Sequence, residues 1–407
     1  MPTPLKFIFF PLSYLLAHVG RLTLIAEELR ARGHEVTFAG VDPDRDTRSK
    51  LGFARKAGFR LVEAPEPDYR YAWNRFEKYG WVVTAWDLAR HQQWAPLDTI
   101  LDGQVRVMDR ERPNMVVGDG TISVSTAAHI VGIPAAGVMN SYNHRYLSPT
   151  SVFMPMIRLW DALHLSRVRG RIYRKYGVAR ENALGLLRTI PMLSPDLPGL
   201  FPEPEGWPNW HTVGPILSEP PVSLPSWYGE LDDGTPNVYV TMGSTGFLEG
   251  FLQRTYGALS EAPFRFLLTT GGQVSERVIQ EAPPNFRIAD YAPGSKLVEK
   301  SCALIFHGGN GTMYQGLAAG VPMVALPSHL EQAHSFRAAL TNGLGLQLSS
   351  RRVRGDRLVR ALTRVLEEPS YRAASASFSE AVRRANGPAA AADLLERHAR
   401  AGVPVGG

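Results

Sequence analysis

The chain has one cysteine, Cys302, in 407 residues. No disulfide can close within it, which fits a reducing, cytoplasmic compartment, and a thiol at the start of a predicted strand reads as a small buried side chain. No stretch reaches the ~20 uninterrupted apolar residues that a membrane-spanning helix needs. The apolar opening through Leu15 and Leu16 has no small-residue cleavage site after it, so a first strand is expected there rather than a signal peptide. Low-complexity tracts and short repeats are absent. No Lys-Ser or Lys-Thr follows a glycine cluster, which excludes a Walker loop, and no G-x-G-x-x-G follows the first strand, which argues against an NAD-dependent oxidoreductase.

The residues that are present describe a soluble globular protein, 44% apolar and 20% charged. At this length two domains of about 200 residues are expected rather than one core. The net charge of +6 and the pI near 9.4 suit anionic ligands but are too diffuse to argue for nucleic acid. Seven Arg and one Lys stand against Asp161 and Glu181 within residues 151–190, a segment that reads as a lid, as a surface for anionic lipid headgroups, or as a solvated helix.

Residues 301–346 organise the rest. Ala303-Leu304-Ile305-Phe306 is a buried strand by pattern, and His307-Gly308-Gly309-Asn310-Gly311 is a glycine turn that lets a ligand approach backbone. A helix is predicted over residues 312–319, with Met313 and Leu317 four apart for the core, and Gly320 ends it. The first amides of a helix lack internal partners and carry partial positive charge, so a glycine-lined helix start suits phosphate. A second strand over 323–327 and a polar loop over 328–332 complete half of a nucleotide-binding α/β domain.

The run HGGNGTMYQGLAAGVPMVALPSHLEQ resembles the donor-binding signature of nucleotide-sugar glycosyltransferases of the GT-B type, the family of UDP-glucosyltransferases and antibiotic and macrolide glycosyltransferases. Weaker echoes extend the likeness: Arg32-Gly33-His34-Glu35-Val36-Thr37-Phe38 near the start, Val213-Gly214-Pro215 in a Pro-, Gly- and Trp-rich stretch, and Asp290-Tyr291-Ala292-Pro293-Gly294. The resemblance implies an α/β fold of two Rossmann-like domains with parallel sheets facing across a cleft. We expect an acceptor-binding domain over 1–212, a linker over 213–236, a nucleotide-sugar-binding domain over 237–385, and a C-terminal helix over 386–407 that crosses back to the first domain.

In such enzymes a histidine in the loop after the first strand takes the acceptor's proton, and an aspartate after a later strand orients it. Those positions are His18 and Asp119 here. His18 follows alanine where glycine is usual, and the proline usually found a few residues later is missing. By itself Asp119 also suits the cap of a helix starting near Thr121. The resemblance assigns the donor diphosphate to Ser244, His307, Gly309, Asn310, Gly311 and Thr312. Tyr291 would stack on the nucleobase and the Ala292 backbone would pair with it. Glu331 and Gln332 would read the sugar hydroxyls. Gln315 stands where glutamate usually accepts from the ribose, and Gly294 replaces a frequent glutamine.

Eight aromatics crowd residues 69–94, which is either an aromatic acceptor pocket, with Trp73, Phe76, Trp81 and Trp86 joined by Phe153, or plain helix packing. Asp42-Pro43-Asp44 spells the Asp-x-Asp of metal-dependent transferases of another fold, but after a second strand it reads as a turn. The resemblance therefore implies an inverting transferase moving a sugar from a UDP- or TDP-linked donor to a hydroxyl of a small acceptor, with no cofactor and no metal. The expected partners are a nucleotide sugar and a small-molecule acceptor, with no nucleic acid, a membrane surface touched through 151–190 at most, and a monomer or homodimer. Two other readings share the architecture: a nucleotide-sugar 2-epimerase and a catalytically silent, transferase-like partner subunit.

Overall fold

Residues 7–10, 36–40, 115–119 and 135–138 are short, mostly apolar runs buried on both faces, as a parallel sheet covered by helices requires. A computed structural model of the chain describes residues 3–66, 97–143, 155, 166–219, 222–243, 248–328 and 330–406. The chain divides into two units, Met1–Ser218 with Asn386–Gly407, and Glu219–Ala385.

In the first unit the strands are β1 (Lys6–Pro11), β2 (Glu35–Gly40), β3 (Arg60–Glu63), β4 (Met115–Asp119), β5 (Ala135–Val138), β6 (Met192–Ser194) and β7 (Trp210–Thr212). They form one sheet of order β3-β2-β1-β4-β5-β6-β7 in which every pairing is parallel. Its described helices are α1 (Leu16–Ala31), α2 (Gly52–Lys56), α3 (Leu97–Glu111), α4 (Ser123–Val131), α5 (Ser166–Tyr176) and α6 (Ala183–Thr189).

Alternation along β1 sends side chains to opposite faces. Phe7 and Phe9 join a core with Leu22, Ile25, Ala26 and Leu29 of α1, while Ile8 and Phe10 join a second core with Leu101, Val105 and Met108 of α3. Leu22, Ile25, Ala26 and Leu29, at i, i+3, i+4 and i+7, predict one apolar helical face after a loop from Pro11 to Gly20, and α1 buries that face. The helix begins earlier than this spacing predicts, at Leu16, so His18 lies in its first turn and not in the preceding loop.

The second unit repeats the plan. Strands β8 (Asn237–Thr241), β9 (Arg265–Thr269), β10 (Phe286–Ala289), β11 (Ala303–Phe306), β12 (Met323–Ala325) and β13 (Gly345–Gln347) are ordered β10-β9-β8-β11-β12-β13, again parallel throughout. The connecting helices are α7 (Leu248–Ser260), α8 (Glu276–Gln280), α9 (Gly294–Glu299), α10 (Asn310–Ala319), α11 (Leu330–Thr341), α12 (Gly355–Glu367) and α13 (Pro369–Arg384). Val238, Val240, Phe266, Leu268 and Ile305 pack against Leu252 and Leu259 of α7 and Leu358 and Leu362 of α12.

The proline-rich connection is shared between the units. Residues 213–218 belong to the first, whereas the 3₁₀ turn Ser226–Glu230 packs on the second, where Trp227 Nε1 donates to the Ile288 carbonyl at 3.2 Å. The last helix, α14 (Gly387–Ala401), returns to the first unit and buries Ala391, Ala392 and Leu395 in the core of α1. Arg32 ties it down through Asp393 at 2.5 Å. No helix among the described residues is long and apolar enough to cross a membrane.

Candidate active site

Both sheets have the same turning point. The chain runs outward from β1 to β2 and β3, then returns to place β4 on the other side of β1. It likewise runs outward from β8 and returns to place β11 beside β8. In an open parallel sheet, loops leaving the carboxyl ends of two such neighbours diverge and leave room for a ligand. His18 and Asp119 lie at the first of these points, and His307, Gly309, Asn310, Gly311 and Thr312 at the second.

In the first unit β1 and β4 are in register from Phe7 opposite Met115 to Pro11 opposite Asp119. This pairing sets the last residue of β4 beside the loop that leads into α1. The Asp119 carboxylate is fully buried and accepts from His18 Nδ1 at 2.6 Å. A carboxylate only accepts, so Nδ1 carries a proton, and the neutral form of the ring then has its lone pair on Nε2. Asp119 caps no helix: α4 starts at Ser123 without a side-chain cap.

Arg21, one turn along α1 from His18, also donates to Asp119, through Nε to Oδ2 and Nη2 to Oδ1. Its Nη1 donates to Asn140 Oδ1 at 2.7 Å, and Nη2 lies 3.2 Å from His18 Nδ1. Burial alone would raise the Asp119 carboxyl pKa, but Arg21 and then His18 outweigh it and hold the group below the ordinary aspartate value. Burial likewise works against the charged Arg21, yet the Asp119 carboxylate leaves its pKa above the usual guanidinium value. Sequence reasoning passed over Arg21. The available signal was a lone arginine beside the apolar stripe of α1, three residues from the candidate histidine. Gly120, which follows Asp119 with φ +73, is also required here: a β-carbon would lie 2.8 Å from Leu12 Cδ1 and 3.1 Å from His18 Cε1.

In the second unit α10 begins at Asn310 with Gly309 as its N-cap, two residues before the predicted start, and ends at Gly320 in the left-handed region. Its N-cap is a glycine and no acidic residue lies in its first turn, so the amides at the start of the helix present a positive end to any anion. His307 lies between two glycines. A β-carbon on Gly309 would fall 2.2 Å from His307 Nε2, and one on Gly243, in the turn after β8, 2.8 Å from Cε1.

The remaining donor residues differ in their settings. Tyr291 is 61% exposed, a ring offered to solvent while its hydroxyl donates to the Gly271 carbonyl at 3.0 Å; Ala292 follows in the same loop. Glu331 and Gln332 lie in the first turn of α11 rather than in a polar loop. Gln332 is buried, with Oε1 accepting from Ser328 N at 2.8 Å and Ser328 Oγ at 3.0 Å, so this oxygen braces the turn after β12. Gln315, on α10, donates from Nε2 to Glu219 Oε1 at 2.7 Å.

Asp42 and Asp44 pair with Arg55 at 2.8 and 2.9 Å, and Asp44 N donates to Asp42 Oδ1 at 2.9 Å, the local bond of a turn. Ser244, Trp73, Phe76, Trp81, Trp86 and Phe153 lie outside the described residues.

Comparison with known proteins gives this arrangement a class. Residues 267–397 match the erythromycin biosynthesis protein CIII-like C-terminal domain. The PGL/p-HBAD biosynthesis rhamnosyltransferase of Mycobacterium bovis (strain BCG / Pasteur 1173P2) is 27% identical over 403 residues, covering 92% of this chain and 84% of its own. Among solved structures, the spinosyn forosaminyltransferase SpnP superposes with a TM-score of 0.75 at 20% identity, over 98% of this chain and 100% of that one. The spinosyn rhamnosyltransferase SpnG complexed with thymidine diphosphate gives 0.67 at 19% identity, over 96% and 100%.

The chain is a glycosyltransferase of the GT-B fold, with two Rossmann-like domains built on parallel sheets. Its C-terminal portion is similar to the erythromycin biosynthesis protein CIII-like domain, and its structural neighbours are antibiotic glycosyltransferases.

Proposed function

We propose that this glycosyltransferase moves a sugar, with inversion, from a UDP- or TDP-linked donor to a hydroxyl of a small natural-product acceptor. The acceptor oxygen attacks the anomeric carbon, the bond from that carbon to the diphosphate breaks, and the nucleoside diphosphate leaves. The hydroxyl proton passes to His18 Nε2. One observation carries the reading: Nδ1 of His18 is held 2.6 Å from a buried carboxylate at the turning point of the first sheet. That bond orients the ring and stabilises the imidazolium formed when the proton arrives. A base so placed accelerates transfer by roughly 10²–10⁴.

The leaving diphosphate would be held by the backbone amides at the start of α10, from Asn310 to Thr312, and by His307. These supply fixed positive potential where charge develops, so the scheme calls for no metal and no cofactor. The thymidine diphosphate bound by SpnG supports a TDP-linked donor. Glu331 lies on α11, after β12, where it would read the sugar.

A thermal-shift screen of nucleoside diphosphates and their sugars tests the donor assignment, because a ligand that binds only the folded chain stabilises it in proportion to the logarithm of concentration over Kd. TDP or UDP, alone or sugar-linked, is expected to raise Tm while adenosine and guanosine diphosphates leave it in place. Equal shifts from all four would remove base recognition from the account.

A further inference from the structure

Arg21 is a buried cation beside the candidate base. It is 8% exposed and stands one turn along α1 from His18. All three nitrogens of its planar guanidinium are committed: Nε and Nη2 donate to the two Asp119 oxygens, and Nη1 donates to Asn140 Oδ1 at 2.7 Å. A guanidinium only donates and keeps its proton throughout the range in which proteins fold, so this charge is permanent.

The surroundings of Asp119 Oδ1 show what the charge does. His18 Nδ1 lies 2.6 Å from this oxygen and 3.2 Å from Arg21 Nη2. With Nδ1 donating to the carboxylate, Nδ1 and Nη2 face each other as two donors, a contact that worsens once the ring is charged. Counting charges gives the same sign. Around a neutral ring Asp119 and Arg21 cancel, whereas an imidazolium leaves one net positive charge in a cluster whose carboxylate is fully buried. Without Arg21 the order reverses. A neutral ring would then leave a buried carboxylate uncompensated, and a proton on the ring would cancel it. The neighbouring loops add groups with partners of their own. After β5, the buried Tyr142 hydroxyl accepts from Asn140 Nδ2 at 3.1 Å, and after β6, the buried Asp196 Oδ2 accepts from Ser141 N at 2.6 Å and Ser194 Oγ at 3.0 Å. After β3, Glu66 accepts from Ser13 N at 2.9 Å.

We propose that Arg21 is a positioning residue for proton transfer, acting through Asp119 to keep the outer nitrogen of His18 unprotonated until the acceptor hydroxyl arrives. The inference rests on the reading of His18 as the base. Asp119 with no other counterion would orient the ring and also draw a proton onto it in advance; Arg21 offsets the second effect and leaves the first. The same charge helps the site to reset. The imidazolium made by taking the acceptor's proton lies beside a cation, and it returns that proton to solvent once the product has gone.

The ring can be titrated directly, with neither donor nor acceptor present. In the full chain labelled with carbon-13 at histidine Cε1, the His18 signal is the one missing from the spectrum of His18→Ala, and its movement with pH reports proton uptake by the His18–Asp119 pair. In Arg21→Met, which keeps the bulk and removes the charge, the midpoint is expected to rise by about one to two pH units, the displacement a neighbouring charge produces. Arg21→Lys keeps the charge but not the fork, and its midpoint should stay within about half a unit of wild type. A merely structural role would not separate the two. Should Arg21→Met fold poorly, Asn140→Asp tests the charge from its far side: a carboxylate accepting from Nη1 offsets part of it and should raise the midpoint by about half a unit to one unit. The acid limb of the pH profile for transfer should move in the same direction. A midpoint that stays or falls in Arg21→Met or in Asn140→Asp, or that rises as far in Arg21→Lys as in Arg21→Met, overturns the proposal. Midpoints that move as expected while His18→Ala transfers sugar at the wild-type rate would instead overturn the base reading beneath it.

Discussion

The two sheets share a strand order and a turning point, yet they hold opposite kinds of chemistry there. Beside β1 and β4 the first unit buries charged side chains: Asp119, Arg21 and the half-buried His18 lie within hydrogen-bond reach of one another. Beside β8 and β11 the second unit sets Gly243, Gly308 and Gly309 about one imidazole, and at the start of α10 it offers backbone. The contrast follows from the tasks. Moving a proton needs a titratable group whose partner stays ionised, which takes side chains in fixed geometry. Holding a diphosphate needs many donors at short range, which amides supply once side chains are out of the way.

Substitutions in the two clusters should therefore fail differently. The largest effect is expected from Asp119→Asn, which removes the charge that orients His18 and leaves Arg21 a buried cation without its counterion. Turnover should fall by roughly 10²–10⁴, and denaturant unfolding should show a loss of about 3–5 kcal/mol, the cost of breaking a buried pair from one side. Diphosphate binding measured by calorimetry should be nearly intact. A variant that lost donor affinity as well would blur the division between the clusters.

Gly309→Ala is the reciprocal break. Its methyl would meet the His307 ring and push it from its place, so TDP binding should weaken by about tenfold, roughly one displaced charge-assisted hydrogen bond. The His18 cluster is untouched, but His307 also faces the charge that develops on the leaving diphosphate, so kcat at saturating donor should fall by about tenfold as well, far less than in Asp119→Asn. An unchanged Kd for TDP would contradict this.

The smallest effect concerns stability in acid. Glu111, at the end of α3, pairs with Arg60, Arg110 and Lys6, and these bonds, led by Arg60 and opposed by burial, lower its pKa from 4.5 to about 2. A depressed folded-state pKa contributes stability that is complete above the unfolded value and is lost as pH falls toward the folded one. Between pH 5 and pH 3 the melting temperature of wild type should drop more steeply than that of Glu111→Gln, by about 2–4 °C. Parallel curves would mean the pair contributes nothing.

Much of this was legible in the residues. The parallel strands announce themselves as short apolar runs, and the buried face of α1 is written in Leu22, Ile25, Ala26 and Leu29. The glycine turn before α10 was readable because its chemistry is local: strand, glycines and helix follow one another in sequence. His18 and Asp119 were found through resemblance, and their pairing depends on a strand register that sequence does not state. Arg21 was missed for the same physical reason. It acts through a partner far along the chain, Asp119. An arginine inside a helix has an ordinary surface reading. The start of α1 is not legible because its N-cap is Leu15, a residue with no capping side chain, and the apolar face becomes periodic only from Leu22.

The central claim is that His18 acts on the acceptor's proton and on nothing else. It is tested most directly by measuring, on one preparation of His18→Ala, both glycosyl transfer and the Kd for TDP. The account predicts transfer reduced by roughly 10²–10⁴ with a Kd within about twofold of wild type, a difference under 0.5 kcal/mol. Transfer at the wild-type rate, or a Kd that weakens as far as the rate falls, would contradict it.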